Sequence, residues 1–322
     1  MIRVLVVTNM FPTAERPSDG IFVKETVEVL GAQGIDIDIL FIRGRRTPVK
    51  YGIGILRLWL QLGRKKYDLV HAYYGYSGFV ACMQRLYPVV LTLCGSDVNL
   101  SSQRPVSKLA SALSSRTIVQ TSRMRDLLGK EDAIVMHLGV NLDVVRPSPR
   151  SEARRQLRLD QDVLFALFPY DPLRREKRFG LFESALREAG KNEPRLRPLV
   201  VTQVPKDRMP LYMSAADVLV MTSEAEGSPN TIKEALACGL PIVSVDVGDV
   251  SEIVRGIDGC WICDANAHVL AEAVVKAVHF GRTKGRERAE LLSSQLTGQK
   301  LVKLYEDVLF RKVGRKSAPG GS

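Results

Sequence analysis

The chain has 322 residues, of which 45% are hydrophobic and 25% charged, and its 46 Lys and Arg against 35 Asp and Glu give a net charge of +11. This composition is typical of a globular protein and excludes collagen-like, low-complexity and wholly disordered chains. The length predicts two domains. No apolar run reaches the roughly 18–20 residues that span a bilayer, and the N-terminal run is too short for a signal peptide, so we predict a cytoplasmic protein.

The first half of the chain alternates between strand-like and helix-like patterns. Residues 2–8 form an almost continuous β-branched run, which is typical of a strand buried on both faces of a parallel sheet. Apolar residues at helical spacing follow Gly20. Similar apolar runs predict further strands at 36–42, 69–73, 89–93, 117–121 and 133–137. Strands separated by helical segments indicate a doubly wound α/β sheet.

A linker rich in proline and arginine at 141–159 divides the chain, and we place the domain boundary near 147. The alternation then restarts, which predicts one Rossmann-like domain over 1–146 and a second over 147–289. We expect the amphipathic helix at 296–312 to pack back on the first domain. Residues 313–322, which end in SAPGGS, are expected to be disordered.

The most informative stretch is 217–245, DVLVMTSEAEGSPNTIKEALACGLPIVSV. A predicted strand ends, the EGSPN turn begins at Glu226, and a helix follows. The N–H groups at such a helix N-terminus favour an anion or a hydroxyl group. Glu234 lies eight residues after Glu226, and we expect both carboxylates at the C-terminal edge of the sheet, where doubly wound folds bind ligands. Two carboxylates there suit a ligand with many hydroxyl groups.

The Glu-x7-Glu spacing inside EGSPNTIKEALACGLPIVS closely resembles the donor-site signature of the retaining GT-B glycosyltransferases of the large bacterial family 4. Further stretches fit the family in chain order: TNMFPTAERPSDGIFVKE, HAYYGYSG, TLCGSDVN, GVNLDVVRP, LYMSAADVLVMTS and LVKLYEDVL. The resemblance is strongest to enzymes of cell-surface polysaccharide assembly. It implies a GT-B fold, with two Rossmann-like doubly wound domains facing across a cleft.

The resemblance also implies roles for single residues. Glu226 would contact the hydroxyl groups of the donor sugar, and Glu234 the ribose diol. Lys177, in DPLRREKRFG, matches the family lysine that neutralises the departing diphosphate, so Glu226 and Lys177 are the implied catalytic residues. The other implied donor-binding residues are Gly20, Arg174, Gly227, Ser228, Pro229 and Asn230. His71 and Asp97 would lie on the acceptor side, and neither a metal nor a cofactor is expected.

Two positions depart from the family pattern. Pro172 stands where the family usually has an arginine, five residues before Lys177, and Arg174 or Arg175 is the available substitute. Cys94 stands where a histidine is common. These departures keep a second reading open, in which the protein is a catalytically degenerate GT-B binding partner.

The function implied is that of a retaining, metal-independent hexosyltransferase. It would move a sugar from a nucleotide-sugar donor to a glycan or lipid-linked acceptor in surface polysaccharide biosynthesis. A GT-B nucleotide-sugar epimerase is a further alternative. A nicotinamide dehydrogenase is disfavoured because G-x-G-x-x-G follows neither opening strand.

Some of these residues have simpler interpretations. His71 follows an apolar run, so a core histidine is as plausible as a functional one. Asp97 can cap the segment after Ser96. Cys260 and Cys263 have the spacing of a redox or metal motif, but they lie in a strand-like stretch, which favours core packing.

The segment 43–66 combines eight basic residues and no acidic residue with the apolar residues Ile53, Ile55, Leu56, Leu58, Trp59, Leu60 and Leu62. One interpretation is a core helix with a solvated basic edge. The other is peripheral contact with an anionic membrane, which would suit a lipid-linked acceptor. A nucleic-acid partner is not expected, because the basic residues form one patch without a binding motif.

Overall fold

A computed structural model describes residues 1–16, 19–43 and 47–316. The chain divides into two compact units: unit 1 comprises Met1–Leu138 with Ser294–Ser322, and unit 2 comprises Gly139–Ser293. Unit 2 thus begins eight residues before the boundary predicted from the linker composition. The reason is that Val140 and Val145 are buried in the core of unit 2.

Unit 1 is built on a six-stranded parallel sheet with the order β2-β1-β3-β4-β5-β6. Its strands are β1 (Arg3–Thr8), β2 (Asp36–Phe41), β3 (Leu69–Tyr73), β4 (Val89–Thr92), β5 (Arg116–Val119) and β6 (Ile134–Val135). Its helices in this part of the chain are α1 (Ile21–Ala32), α2 (Pro48–Arg64), α3 (Gly75–Ala81), α4 (Ser96–Asn99), α5 (Arg104–Leu113) and α6 (Ser122–Leu128).

The central strand β1 shows why this sheet has helices on both faces. Five of its six side chains are buried, because alternate residues point to opposite faces and both faces are covered. Leu5 and Val7 pack with Leu58 of α2. Val4 and Val6 pack instead with Tyr305 of the C-terminal helix.

Unit 2 has a five-stranded parallel sheet with the order β11-β10-β9-β7-β8. Its strands are β7 (Leu164–Phe168), β8 (Leu196–Val200), β9 (Val218–Met221), β10 (Ile242–Val245) and β11 (Cys260–Cys263). Its helices are α7 (Arg150–Leu157), α8 (Phe179–Ala189), α9 (Met209–Ala215), α10 (Asn230–Ala237), α11 (Val250–Val254), α12 (Ala267–Val278) and α13 (Arg286–Leu291). The prediction of two Rossmann-like α/β folds is confirmed.

The last helix, α14 (Ser294–Lys316), returns to unit 1 and buries Leu301, Leu304 and Tyr305 in its core. It extends four residues beyond the predicted end, so the prediction of disorder is wrong for 313–316. The remainder of that predicted tail, 317–322, lies outside the described residues. None of the described helices has the length and apolar character needed to cross a membrane.

Candidate functional site

Three loops of unit 2 meet at the C-terminal edge of its sheet. They follow β7, β9 and β10, which are neighbours in the order β10-β9-β7. This edge is where ligands bind in doubly wound folds, because parallel strands bring their loops together there. The loop after β7 carries Lys177, and the loop after β9 carries Glu226.

Lys177 and Glu226 form an ion pair, although 49 residues separate them in the chain. The Lys177 side chain is almost fully buried, and its Nζ lies 4.0 Å from the ring centroid of Tyr170. Burial lowers the pKa of Lys177, while the charge of Glu226 acts in the opposite direction. A cation is therefore held between one carboxylate and one aromatic face, where electrostatic interactions are stronger than in water.

Hydrogen bonds to main-chain carbonyl groups fix the two loops to each other. The Thr222 hydroxyl donates to the carbonyl of Lys177 at 2.8 Å, and the amide of Glu224 donates to the carbonyl of Glu176 at 2.8 Å. Arg178 Nε donates to the carbonyl of Thr222 at 2.7 Å. Lys177 and Glu226 are thus held close together by main-chain contacts as well as by their own charges.

Helix α10 adds a second group of charges behind this pair. Glu234 is buried, and its Oε1 lies 3.5 Å from Nζ of Lys206. Pro229 precedes the helix and has no side chain that can cap its first N–H groups. Ser228 and Pro229 are buried, whereas Gly227 and Asn230 are partly exposed.

Lys233 and Asp249 are charged residues of this region that the sequence analysis missed. Lys233 is fully buried, with its Nζ 3.3 Å from Oδ1 of Asn230. Burial lowers its pKa to about 8, while the charges of Asp249 and Glu234 act in the opposite direction. The available signal was a lysine within the otherwise largely apolar helix IKEALA, next to Glu234.

Gly248 brings the loop after β10 against the loop that carries Glu226. Its φ is +63°, and a Cβ at this position would collide with the carbonyl oxygen of Gly227. Glycine suits this position because it has no Cβ, so it can adopt a left-handed conformation and allow another segment of backbone to approach closely. The backbone of residues 226–227 is therefore supported directly by Gly248.

Arg174 lies near Lys177 but has a partner of its own. Its guanidinium donates to Oε1 of Glu176 at 2.8 and 2.7 Å, and the side chain is exposed. Its positive charge contributes to the lowered pKa of Lys177. Arg174, one of the two residues expected to substitute for the arginine absent at Pro172, is thus close to Lys177 while paired with Glu176. The other, Arg175, is exposed.

His71 belongs to the core of unit 1. Its Nδ1 lies 2.5 Å from the Tyr305 hydroxyl and its Nε2 2.8 Å from the Thr92 hydroxyl, and the ring stacks on Tyr73. Burial lowers its pKa to about 3. Both ring nitrogens are used within the unit, so the geometry favours the core-histidine interpretation over the acceptor-side role.

Asp97 and Gly20 also make contacts that stabilise the backbone of unit 1. The Asp97 carboxylate accepts hydrogen bonds from the amides of Gly75, Cys94 and Gly95 at 3.1, 3.0 and 2.9 Å, and burial raises its pKa to about 6. Gly20 has a φ of +66° before α1, and a Cβ there would collide with the backbone of Met10. The prediction that Asp97 caps the segment after Ser96 is wrong, because the N-cap of α4 is Gly95 and the Asp97 carboxylate instead fixes the loop before α4 and the first residue of α3.

Cys260 and Cys263 are free thiols on β11. An odd spacing on a strand directs their side chains to opposite faces, so they cannot form the two halves of one local site. Burial raises the pKa of both thiols. Across 1–16, 19–43 and 47–316, no three His, Cys, Asp or Glu residues cluster as a metal site requires.

Comparison with known proteins places this geometry in context. Residues 180–279, within unit 2, match the family model described as glycosyl transferases group 1. The chain is 26% identical to a protein assigned to teichuronic acid biosynthesis as the glycosyltransferase TuaC of Bacillus subtilis, with 86% of this chain and 90% of TuaC aligned. It is 24% identical to the D-inositol 3-phosphate glycosyltransferase of Thermobispora bispora, with 65% of this chain and 62% of that protein aligned.

Two solved structures show the same fold at lower identity. Sucrose-phosphate synthase from Thermosynechococcus elongatus superposes with a TM-score of 0.81 at 19% identity, covering 97% of this chain and 100% of that one. Anabaena HepE, solved in complex with UDP, gives a TM-score of 0.67 at 17% identity, covering 95% and 100%. The protein is therefore a glycosyltransferase of the GT-B fold, whose second unit carries the group 1 glycosyl transferase domain.

Proposed function

We propose that the protein is a retaining, metal-independent hexosyltransferase. It uses a nucleoside-diphosphate sugar as donor and transfers the sugar to a glycan or lipid-linked acceptor in surface polysaccharide biosynthesis. The observation that carries this proposal is the buried Lys177–Glu226 pair on the Tyr170 ring, at the ligand-binding edge of unit 2.

The charges of this edge suit both halves of such a donor. Lys177 and Lys206 supply cationic groups for a diphosphate, the buried Lys233 adds positive charge from within the protein, and Arg174 lies near Lys177. Glu226 provides a carboxylate for sugar hydroxyls, and in the proposal Glu234 binds the ribose diol. That a related fold is solved with UDP and with UDP-glucose supports a donor of this class.

The proposed reaction needs little from the protein beyond placement and charge. An acceptor hydroxyl forms a bond to the anomeric carbon on the face from which the diphosphate leaves, while the bond from that carbon to the diphosphate oxygen breaks. The hydroxyl proton passes to the released diphosphate. Lys177 stabilises the negative charge that develops on the diphosphate, a form of electrostatic catalysis that does not require a metal ion.

Glu226 has two partners in succession in this account. Without donor, it neutralises Lys177. With donor bound, sugar hydroxyls donate to its oxygens, and Lys177 interacts with the diphosphate. The binding site can therefore remain electrically balanced in both states, which limits the cost of burying its charges.

The proposal also includes the acceptor and the position of the enzyme in the cell. Similarity to TuaC over most of both chains supports assembly of a surface polysaccharide. A lipid-linked acceptor would place the enzyme on the inner face of the membrane, with peripheral contact through 43–66.

A catalytically degenerate binding partner is the second candidate, and Pro172 and Cys94 favour it. Such a protein would bind the nucleotide without transferring a sugar. An epimerase would instead convert the donor sugar in the absence of any acceptor.

One experiment separates these candidates. The protein is incubated with nucleoside-diphosphate sugars and lipid-linked sugar acceptors, with and without EDTA, and products are identified by mass spectrometry. We expect transfer that EDTA does not reduce, and an NMR coupling constant showing that the anomeric configuration of the donor is retained. An inverted product or a metal requirement would contradict the proposed mechanism, and binding without transfer would support the second candidate.

A further inference from the structure

Helix α2 carries apolar residues on two opposite faces. Its inner face buries Leu58 and Leu62 in the core of unit 1. The outer face has a stripe of large apolar side chains that remain between 45% and 71% exposed: Val49, Ile53, Leu56, Trp59 and Leu60. Val49, Ile53, Leu56 and Leu60 are separated by four, three and four residues, so they form one continuous line along the helix, and Trp59 lies beside this line.

Such a stripe requires an explanation, because a helix that is apolar all round is normally buried. A single exposed leucine on a protein surface is ordinary, whereas a contiguous apolar patch marks a contact site. The core of unit 1 is complete without this outer face, since α2 already packs through its inner residues.

Positive charge flanks one side of the stripe. Lys50, Arg57 and Arg64 lie on one side of it by helical spacing, and Lys66 follows the helix; all four are exposed. The segment 43–66 contains no acidic residue. Lys65, also exposed, has a carboxylate partner, since its Nζ lies 3.0 Å from Oδ2 of Asp38.

We propose that the outer face of α2 docks on a bilayer containing anionic phospholipids. The apolar stripe enters the boundary between headgroups and acyl chains, Trp59 lies at that boundary, and the basic residues contact lipid phosphates. The charge pattern argues for this occupant over a second copy of the chain, because two such faces would bring like charges together. The advantage of docking rests on the proposed function, since a lipid-linked acceptor lies in the same membrane, but docking itself is measured without substrate.

The test is sedimentation of the full chain with vesicles of phosphatidylcholine, or of equal parts phosphatidylcholine and phosphatidylglycerol. We expect binding to the anionic vesicles only, and weaker binding at high salt because salt screens the charges. The double variant Leu56→Ser/Leu60→Ser should lose binding. The triple variant Lys50→Gln/Arg64→Gln/Lys66→Gln should bind roughly 100-fold more weakly, at about fivefold for each cation removed.

Matched controls lie elsewhere on unit 1. Leu109→Ser changes an exposed leucine of α5, and Lys108→Gln/Arg123→Gln/Lys303→Gln removes three exposed cations outside 43–66. Both should sediment like the wild type. In a Trp261→Phe background, Trp59 is the one remaining tryptophan, and its emission should shift to the blue on binding.

Three results would overturn the proposal: no binding of the wild type to either vesicle, equal binding by the α2 variants, or a dimer that Leu56→Ser/Leu60→Ser converts to monomer. The last result would identify a second copy as the occupant. Donor binding is measured on the same variants by thermal shift. Its retention in a variant that no longer binds vesicles keeps a failure of docking distinct from a failure of the proposed function.

Discussion

Both units bury polar side chains in or beside their parallel sheets, but these side chains have different kinds of partner. In unit 1, His71 and Asp97 are fully buried and are bonded to neutral groups of the same unit, namely hydroxyls and backbone amides. In unit 2, Lys177 is bonded to a charged partner, Glu226, which is partly exposed. A second pair, Lys206 and Glu234, lies in the same region.

The difference indicates which edge is built for a ligand. Neutral hydrogen bonds inside a core stabilise the fold and leave no capacity for a substrate. A buried ion pair contributes little to stability because both ions lose their hydration, so its retention calls for another reason. In unit 2, burial lowers the pKa of two lysines of this region, Lys177 and Lys233, and opposite charges act against that effect in both cases.

The largest effect is expected from the Lys177–Glu226 pair itself. Lys177→Ala and Glu226→Ala should each lower kcat/KM for transfer by about 100- to 1000-fold, because each removes a charged group that acts on the donor. Arg187→Ala, which changes an exposed arginine of α8 outside the site, is the control and should retain activity. If Lys177→Ala and Glu226→Ala both transferred sugar at the wild-type rate, the Lys177–Glu226 pair would have no part in the mechanism.

The Gly248 contact can be tested with a matched glycine. Gly248→Ala and Gly256→Ala both place alanine in a left-handed conformation, which costs each about 1–2 kcal/mol of stability, and the collision adds a further loss in Gly248→Ala. Gly256 has open space around its Cβ position, whereas Gly248 faces the carbonyl of Gly227. Transfer should therefore fall by about 10- to 100-fold in Gly248→Ala alone, because the loop bearing Glu226 is displaced. Equal losses of transfer in the two variants would show that this contact does not position the site.

His71 provides a test from the unit 1 side of the comparison. Its folded pKa of about 3 lies below the ordinary value of 6.5, so between these values the unfolded chain binds a proton that the folded chain does not. His71 should therefore reduce stability as the pH falls from about 6.5, by about 2 kcal/mol between pH 7 and pH 5.

The variant His71→Gln cannot titrate and should lose less stability over that range in urea unfolding. At neutral pH it should keep transfer activity as long as it is folded. His268→Gln is the control, since His268 is exposed and the hydrogen bond that its ring donates to Glu188 raises its pKa. A folded His71→Gln protein that has lost transfer would restore the acceptor-side role.

The smallest effect is expected at Lys233. Its pKa of about 8 means that the unliganded protein loses this proton as the pH rises above 8, whereas a bound diphosphate favours the charged form. Donor affinity of the wild type should fall above pH 8 by at most about tenfold per pH unit. Lys233→Met should bind donor more weakly at pH 7 and lose most of this slope, while Lys276→Met, an exposed lysine on α12, should not. Calorimetry at several pH values checks this, and an unchanged slope in Lys233→Met would exclude the residue.

Much of the fold could be predicted from the sequence, because parallel strands that are buried on both faces consist of consecutive apolar residues, as in β1 and β7. It could not predict the surroundings of His71, since the partner hydroxyl belongs to Tyr305, 234 residues away. The sequence also could not predict which face of α2 is buried. Apolar residues lie on both faces, and a helical pattern alone does not show which of them packs against the core. The burial of Lys233 could not be predicted for a related reason. Residues 232–237 of α10 are all buried, and that burial depends on tertiary packing that the helix sequence does not show.

The central claim is that the Lys177–Glu226 edge of unit 2 binds a nucleoside-diphosphate sugar. The most direct measurement is a thermal-shift titration of the wild type and Lys177→Ala with UDP, GDP, ADP, CMP and their common sugar conjugates. A ligand at 100 times its Kd should stabilise the wild type by about 2.7 kcal/mol, and Lys177→Ala should lose most of that stabilisation. A folded wild type that none of these ligands stabilises, or a Lys177→Ala protein stabilised equally, would contradict the account.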